Sequence, residues 1–214
     1  MVTATGTNGS SGTATDAVVR RLESPSAAAL VDLLEIFGDL QTVLGCCERL
    51  VGELAEPQPG SEVAVEAAWT TALLCYARCF APRATGTALT DADVAATQPE
   101  GDLADWHHAL LRLREVYADA SANPREHFTV GVVQEADGSA GGVAITSVRR
   151  PLVNDLTVRQ TGAIAFALSE VVDSRIVAKQ AEVFEEVRET PAADLARWDR
   201  IDVVTDGSTG TPSV

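Results

Sequence analysis

Apolar residues recur along the first half of the chain with the spacing of helices. Between residues 26 and 54 they follow one another in alternating steps of three and four: Leu30, Leu33, Phe37, Leu40, Leu44, Cys47, Val51 and Leu54. That spacing places them on one side of a helix that packs against a neighbour. Residues 61–80 are apolar nearly all round, which predicts a second helix in the middle of a bundle.

Two further long helices are predicted in the second half of the chain. In residues 105–124 the apolar positions recur on one face, and Pro124 prevents the helix from continuing. The opposite side of this helix is polar and carries His107, His108, Arg112, Arg114, Glu115 and Asp119. The last long helix spans residues 155–189, and shorter helical segments are predicted at 91–97 and 191–198.

A strand pair interrupts the helices. Residues 129–134 and 143–148 are rich in β-branched side chains and flank the Gly-rich sequence EADGSAGG, which predicts a hairpin. Because one isolated hairpin is marginally stable, we expect it to lie on the helices. The pattern therefore predicts a mainly α fold, an antiparallel helical bundle of about four long helices with one β-hairpin inserted near residues 128–149.

The two ends of the chain have a different composition. Residues 1–24 begin with a tract of Thr, Gly, Ser and Ala, and residues 205–214 have the same character. Such segments bury too little apolar surface to fold, so we expect a disordered arm and a disordered tail. Residues 25–204 then form one domain.

The charge of the chain limits its partners. With 31 acidic and 16 basic residues the formal net charge is −15, so a broad basic surface for nucleic acid is excluded. A local pocket for one phosphate remains compatible with this charge. No apolar run is long enough to span a bilayer, and acidic residues follow Arg20 and Arg21 where an export signal would be apolar. We expect a cytoplasmic protein with no membrane partner.

The four cysteines do not form a recognisable metal or disulfide motif. Cys46 and Cys47 fall in the first predicted helix, and Cys75 and Cys79 in the second. If these helices form a hairpin, Cys75 misses the level of Cys47 by about 9 Å, which is too far for a disulfide. We expect reduced, buried thiols and predict no metal site and no cofactor.

Part of the chain resembles a known helical superfamily. The residues that carry the resemblance are YARCF at Tyr76–Phe80 and WHHALLRLREVYADASANPREHFTVGVV at Trp106–Val133, followed by a hairpin and a long helix. Over roughly residues 26–190 the chain resembles bacterial HEPN-like proteins of uncharacterised function. HEPN bundles include many ribonucleases and nucleotide-associated proteins of toxin–antitoxin and defence systems.

The resemblance implies a dimer and a particular catalytic motif. Active HEPN ribonucleases carry an Arg followed after four to six residues by a His, and two such motifs meet across the dimer to cut RNA. Arg114, Ser121, Asn123 and Glu126 fit the resemblance, but Tyr117 and Ala120 stand where relatives carry His. RNA cleavage without a metal needs a group that titrates near neutrality, which neither residue supplies.

Several polar residues remain candidates for a site. The catalytic candidates are Arg114, Tyr117, His107 and His127, and the binding candidates are Arg114, Glu115, Ser121 and Asn123. His107 and His108 are adjacent and about 100° apart on a helix, which does not favour their joint binding of one ion. Glu115 and Asp119 are most simply a solvated face, and GSAGG lacks the Lys-Ser/Thr of a phosphate loop.

Three functions are compatible with these patterns. The first is a catalytically degenerate HEPN-like protein that acts as a homodimeric binding module, for a protein partner or for a nucleotide or RNA element, in a defence, toxin–antitoxin or stress system. We expect the polar helix at residues 105–124 to form part of its dimer interface. The second is a metal-independent endoribonuclease with relocated catalytic residues. The third is a structural assembly subunit. Only the regular spacing of apolar residues along the first helix favours this function.

Overall fold

The structure, a computed structural model, describes residues 18–55, 62–97, 103–121, 123–150 and 153–202. The helices in these ranges are α1 (Pro25–Ala55), α2 (Glu62–Cys79), α3 (Asp91–Ala96), α4 (Leu103–Ala118), α5 (Asp155–Val187) and α6 (Ala192–Leu195). The strands are β1 (Val19–Arg20), β2 (Glu126–Gln134), β3 (Ala140–Arg149) and β4 (Arg200–Ile201), which form two two-stranded sheets. The fold is mainly helical, as the sequence predicts.

The helices share one apolar core. α1 packs against both α5 and α2, α2 packs against α4, and α3 bridges α4 and α5. The largest fully buried side chains come from several of these helices and include Ile36, Leu40, Tyr76, Leu110, Ile164 and Leu168. The predicted apolar stripe of α1 accounts for this packing, since Leu33, Leu40 and Cys47 are all buried. None of the described helices is long and apolar enough to cross a membrane.

The cysteines lie within this core as free thiols. Cys47 and Cys79 are buried, and Cys46 and Cys75 are half-buried. Burial raises the pKa of Cys47 and of Cys79 to about 12, because an apolar surrounding disfavours the thiolate. The prediction of unpaired cysteines agrees with the structure, and the prediction of their burial is confirmed for Cys47 and Cys79 only.

A loop between α2 and α3 is fastened to α1. Arg83 Nη1 donates hydrogen bonds to Asp32 Oδ1 at 3.0 Å and to Glu35 Oε2 at 2.8 Å. Leu89 is buried, and its backbone N–H donates to the carbonyl of Cys79 at 2.9 Å. These contacts fix the position from which α3 starts.

The hairpin of β2 and β3 projects from the helices, so the expectation that it lies on them is wrong. Almost every residue of both strands is exposed, on both faces of the pair. Ion pairs hold only its base: Arg149 Nη1 lies 3.3 Å from Glu62 Oε2 of α2, and Arg125 binds Glu66. A hairpin needs a surface to cover it, and the helices of its own chain do not provide one among the described residues.

The ordered structure begins before α1, within the segment predicted to be a disordered arm. β1 pairs antiparallel with β4 near the other end of the chain, Val19 opposite Ile201 and Arg20 opposite Arg200. The guanidinium of Arg20 also donates to the carbonyl of Trp198 at 2.8 Å. The rest of the predicted arm, residues 1–17, and the whole predicted tail, residues 205–214, lie outside the described residues.

Candidate functional site

A buried polar network joins three helices around His107. Its Nδ1 lies 2.9 Å from the hydroxyl of Tyr76 on α2, and its Nε2 lies 3.2 Å from Oδ1 of Asp91 at the start of α3. Only 1% of His107 is exposed to solvent. The expectation that His107 lies on the polar side of its helix is therefore wrong. Burial is tolerated because both ring nitrogens have a partner.

The partners of His107 define its tautomer. A carboxylate can only accept, so Nε2 carries the proton and donates it to Asp91, while Nδ1 accepts from the Tyr76 hydroxyl. Burial lowers the pKa of His107, and the neighbouring Asp91 partly opposes that shift. Burial likewise raises the pKa of Tyr76 far above its usual value. The network therefore holds a neutral imidazole and a neutral phenol at neutral pH.

His108 extends this network to the surface. Its ring centroid lies 5.1 Å from that of His107, and one ligand atom each from Asp91, His107 and His108 fall within 4.8 Å of one another. Phe80 packs against His107 from the other side, with ring centroids 4.4 Å apart. Although His107 and His108 are adjacent on α4, both therefore lie near the same carboxylate, that of Asp91.

Arg114 lies in a different place. It is exposed on α4 and, together with Glu115, lines a shallow cavity of about 290 Å³. The other lining residues are Leu74, Ala77, Arg78, Phe80, Ala81 and Leu111. No histidine is among these lining residues in the described part of the chain. Arg114 and Glu115 are accessible to a ligand, but the catalytic candidates are not gathered around them.

Tyr117 lines a separate cavity of about 280 Å³ at the base of the hairpin. Three arginines and three glutamates surround it: Arg125, Arg149, Arg150, Glu62, Glu66 and Glu126. Burial raises the pKa of Tyr117, which further disfavours a role as a base near neutrality. The charges of the lining balance, and two of the arginines are already paired with Glu62 and Glu66.

The segment after α4 uses its polar residues to turn the chain. Asp119 accepts a hydrogen bond at 2.8 Å from the backbone N–H of Ser121. The side-chain oxygen of Asn123 accepts from the backbone N–H of Arg125 at 2.9 Å and of Glu126 at 3.2 Å. Ser121 and Asn123, predicted as binding residues, therefore take part in the turn that leads into β2.

One face of the hairpin carries more large apolar side chains than the other. Val130 stands opposite Ile145 and Val132 opposite Val143, and since every second residue shares a face, Phe128 joins them. All five side chains are large, apolar and exposed. The opposite face carries His127, Thr129, Gly131, Val133, Ala144, Thr146 and Val148, of which Val133 and Val148 are the large apolar members. We call Phe128, Val130, Val132, Val143 and Ile145 the apolar hairpin face.

Sequence analysis did not single out this face or the partners of His107. The alternation of residues 128–132 and the β-branched run of 143–148 were visible, but the pairing register that puts five of them together was not. Asp91 and Tyr76 are distant from His107 in the sequence, so no local motif predicts the contacts of His107 with these two residues.

Comparison of the chain with protein-family models, with curated proteins and with solved structures finds no match. The functional argument therefore rests on the contacts, burial and charge of the residues described above.

Proposed function

We propose that the protein is a non-catalytic, homodimeric binding module whose two copies meet through the apolar hairpin face. One observation carries the proposal: five large apolar side chains stand together, exposed, on a hairpin that the described part of the chain holds by ion pairs at its base. Contiguous exposed apolar surface of this kind is typical of a protein–protein interface.

The hairpin itself needs a partner to be stable. A two-stranded hairpin in water is marginal, because each residue orders its backbone while burying little surface. Covering the apolar hairpin face removes the side chains of Val130, Val132, Val143 and Ile145 from water, and each such burial contributes about 1.5–3 kcal/mol. Association supplies the stability that the chain alone does not.

A second copy of this chain fits the face better than a charged partner. Glu126 and Arg149 form the first strand pair at the base of the hairpin, and beyond them the strands contain no Asp, Glu, Lys or Arg, although the chain as a whole has a formal net charge of −15. Depletion of charge is typical of the centre of an interface, and it lets two acidic copies approach at this place. A twofold axis would bring the same apolar face of each copy together.

The other features of the chain are compatible with this role. We propose that α1, α2, α4 and α5 form an antiparallel bundle of the HEPN-like kind, in which the missing motif His leaves a protein that binds rather than cuts, in a defence, toxin–antitoxin or stress setting. Support comes from His107, which is sealed from solvent, and from Arg114 and Tyr117, which line different cavities. This proposal places the dimer interface on the hairpin, whereas from the sequence we expect it on the polar helix, α4.

The proposal is tested by sedimentation equilibrium of two charge-neutral double variants. In the first, Val130→Lys with Ile145→Glu places an ion pair on the apolar hairpin face. In the second, Thr129→Lys with Thr146→Glu places the same pair on the opposite face, also between directly opposed residues. Each variant keeps the net charge and a favourable cross-strand pair. Any difference in dimerisation between the two variants therefore shows which face of the hairpin lies in the interface.

We expect the unmodified protein and the second variant to sediment at twice the chain mass of 22.4 kDa, and the first variant to sediment as a monomer. Burying an ion pair at the centre of an apolar interface costs several kcal/mol, which is enough to separate the copies. A monomeric unmodified protein, or equal dimerisation of both variants, would overturn the proposal.

A further inference from the structure

We propose that Asp91, His107 and His108 bind one first-row divalent transition-metal ion, with Zn²⁺ as the ion to test. This site is independent of the dimer, since α3 and α4 provide all three ligands and the hairpin provides none. Two imidazoles and one carboxylate form a ligand set that suits zinc, iron or cobalt, whereas Mg²⁺ and Ca²⁺ prefer oxygen ligands.

The separations within the cluster match those around a small metal ion. Asp91 Oδ1 and His107 Nε2 are 3.2 Å apart. Two ligands of a tetrahedral ion with bonds of about 2.0–2.1 Å stand roughly 3.3–3.4 Å apart. The ligand atom of His108 lies within 4.8 Å of both, so rotation of this exposed side chain completes the set. The hydrogen bond between His107 and Asp91 keeps these two ligands at the required spacing.

The backbone around the cluster is held in place by the fold. Asp91 is the first residue of α3, and the preceding Thr90 is fixed by a capping box with Asp93, whose carboxylate accepts from the Thr90 backbone N–H at 2.8 Å. Asp93 in turn binds Arg175 of α5. His107 is fixed by burial between Tyr76 and Phe80. Two of the three ligands therefore lose little conformational freedom when an ion binds.

Tyr76 supplies the outer contact that a metal-bound histidine needs. Histidine ligands usually donate their second ring N–H to a neighbouring acceptor, which orients the ring. Without an ion, the Tyr76 hydroxyl donates to Nδ1 of His107 at 2.9 Å. When Nε2 binds an ion, the ring proton moves to Nδ1, and the same hydroxyl accepts from it because a hydroxyl has both capacities. The heavy atoms of the buried pair keep their places, and the hydroxyl proton of Tyr76 turns away from His107.

The site is open to solvent on one side. The Asp91 side chain is 76% exposed and His108 is exposed, whereas His107 closes the inner side. An ion bound here has three protein ligands and at least one position left for water or another small ligand. Binding of the ion at Nε2 leaves the ring proton on Nδ1, so the neutral His107 binds the ion without releasing a proton.

The test is a Co²⁺ titration followed by absorption, with Zn²⁺ competition, on full-length protein that has been treated with a chelator. His108→Ala removes one ligand at the surface and leaves the buried network intact. His127→Ala is the matched control, since His127 is the remaining histidine of the chain and lies on the hairpin. Tyr76→Phe tests the outer contact separately.

We expect one Co²⁺ per chain with a tetrahedral spectrum, displaced by an equivalent of Zn²⁺, in the unmodified protein and in His127→Ala. His108→Ala should weaken binding by more than about tenfold, and Tyr76→Phe by about 10–100-fold, as outer-contact losses do. The absence of stoichiometric binding would overturn the proposal. So would unchanged affinity in His108→Ala, or a thiolate-to-cobalt band that places the ion on the cysteines.

Discussion

Val130 and Ile145 stand opposite each other on the projecting hairpin, and 69% and 70% of these two residues are exposed to solvent. A cross-strand pair of β-branched residues normally stabilises a sheet by packing against a third layer. Here no such layer comes from the described residues of the chain itself. The proposed dimer rests on this exposed apolar face.

Salt should strengthen the dimer. Each copy has a formal net charge of −15, so two copies repel each other at long range, while the apolar hairpin face itself is uncharged. Salt shortens the screening length from about 30 Å at 0.01 M to about 8 Å at 0.15 M and weakens this repulsion. Sedimentation at several NaCl concentrations should give a dissociation constant that falls as NaCl rises. Dissociation of the dimer at high salt would instead indicate an interface held by ion pairs.

Gly138→Ala should weaken the dimer by deforming the tip of the hairpin. Gly138 has a φ of +87°, a conformation in which an L side chain is strained by roughly 1–2 kcal/mol. Gly131→Ala is the control, because a Cβ there meets nothing within 4 Å and Gly131 has no positive φ. We expect a higher dimer dissociation constant for Gly138→Ala and an unchanged or lower one for Gly131→Ala. Equal constants for the two variants would show that the tip does not matter for association.

Tyr76→Phe should destabilise the fold by about 1–3 kcal/mol, because it leaves the buried Nδ1 of His107 without a donor. Urea unfolding in the presence of chelator measures this free energy. Tyr117→Phe serves as the comparison, since Tyr117 is half-buried and its hydroxyl binds no partner among the described residues. We expect Tyr117→Phe to change the free energy of unfolding by less than about 0.5 kcal/mol. Equal changes in the free energy of unfolding for the two variants would mean that the hydrogen bond between Tyr76 and His107 does not stabilise the fold.

Asp32→Asn should destabilise the protein in a pH-dependent way. A hydrogen bond from Thr85 and the nearby Arg83 lower the pKa of Asp32 below its ordinary value of 3.8. A carboxyl whose pKa is lower in the folded state stabilises the fold above the unfolded pKa, and this contribution is lost as the pH falls through the folded pKa.

The free energies of unfolding of the two proteins should therefore differ by about 1–2 kcal/mol at pH 7 and converge below about pH 4. Asp173→Asn changes the same charge at an exposed position of α5 and should have little effect at either pH. A difference between wild type and Asp32→Asn that grows on acidification would contradict the assigned cause.

The helices could be predicted from the sequence because each buries a face with a period that one segment displays by itself. The first helix was predicted at residues 26–54 and is observed at Pro25–Ala55, and the last was predicted at 155–189 and is observed at Asp155–Val187. Turn and cap residues limited their ends, as with Asn154, whose side chain accepts from the backbone N–H of Thr157.

The site could not be predicted in the same way, because it depends on contacts between distant segments. His107 was placed on a polar face, yet α2 and α3 cover it and supply Tyr76 and Asp91. The pattern also predicts a hairpin that lies on the helices, because an isolated hairpin is marginally stable, but the described helices leave both strands exposed. A sequence read as one chain cannot show that a surface belongs against another copy.

The most direct test of the account is an isotope-filtered NOE measurement on a dimer of one labelled and one unlabelled copy. We predict NOEs from the methyl groups of Val130, Val132, Val143 and Ile145 in the labelled copy to protons of the unlabelled one. Methyl groups that show contacts only within their own chain, in a sample whose mass is that of a dimer, would contradict the claim that the apolar hairpin face joins the two copies.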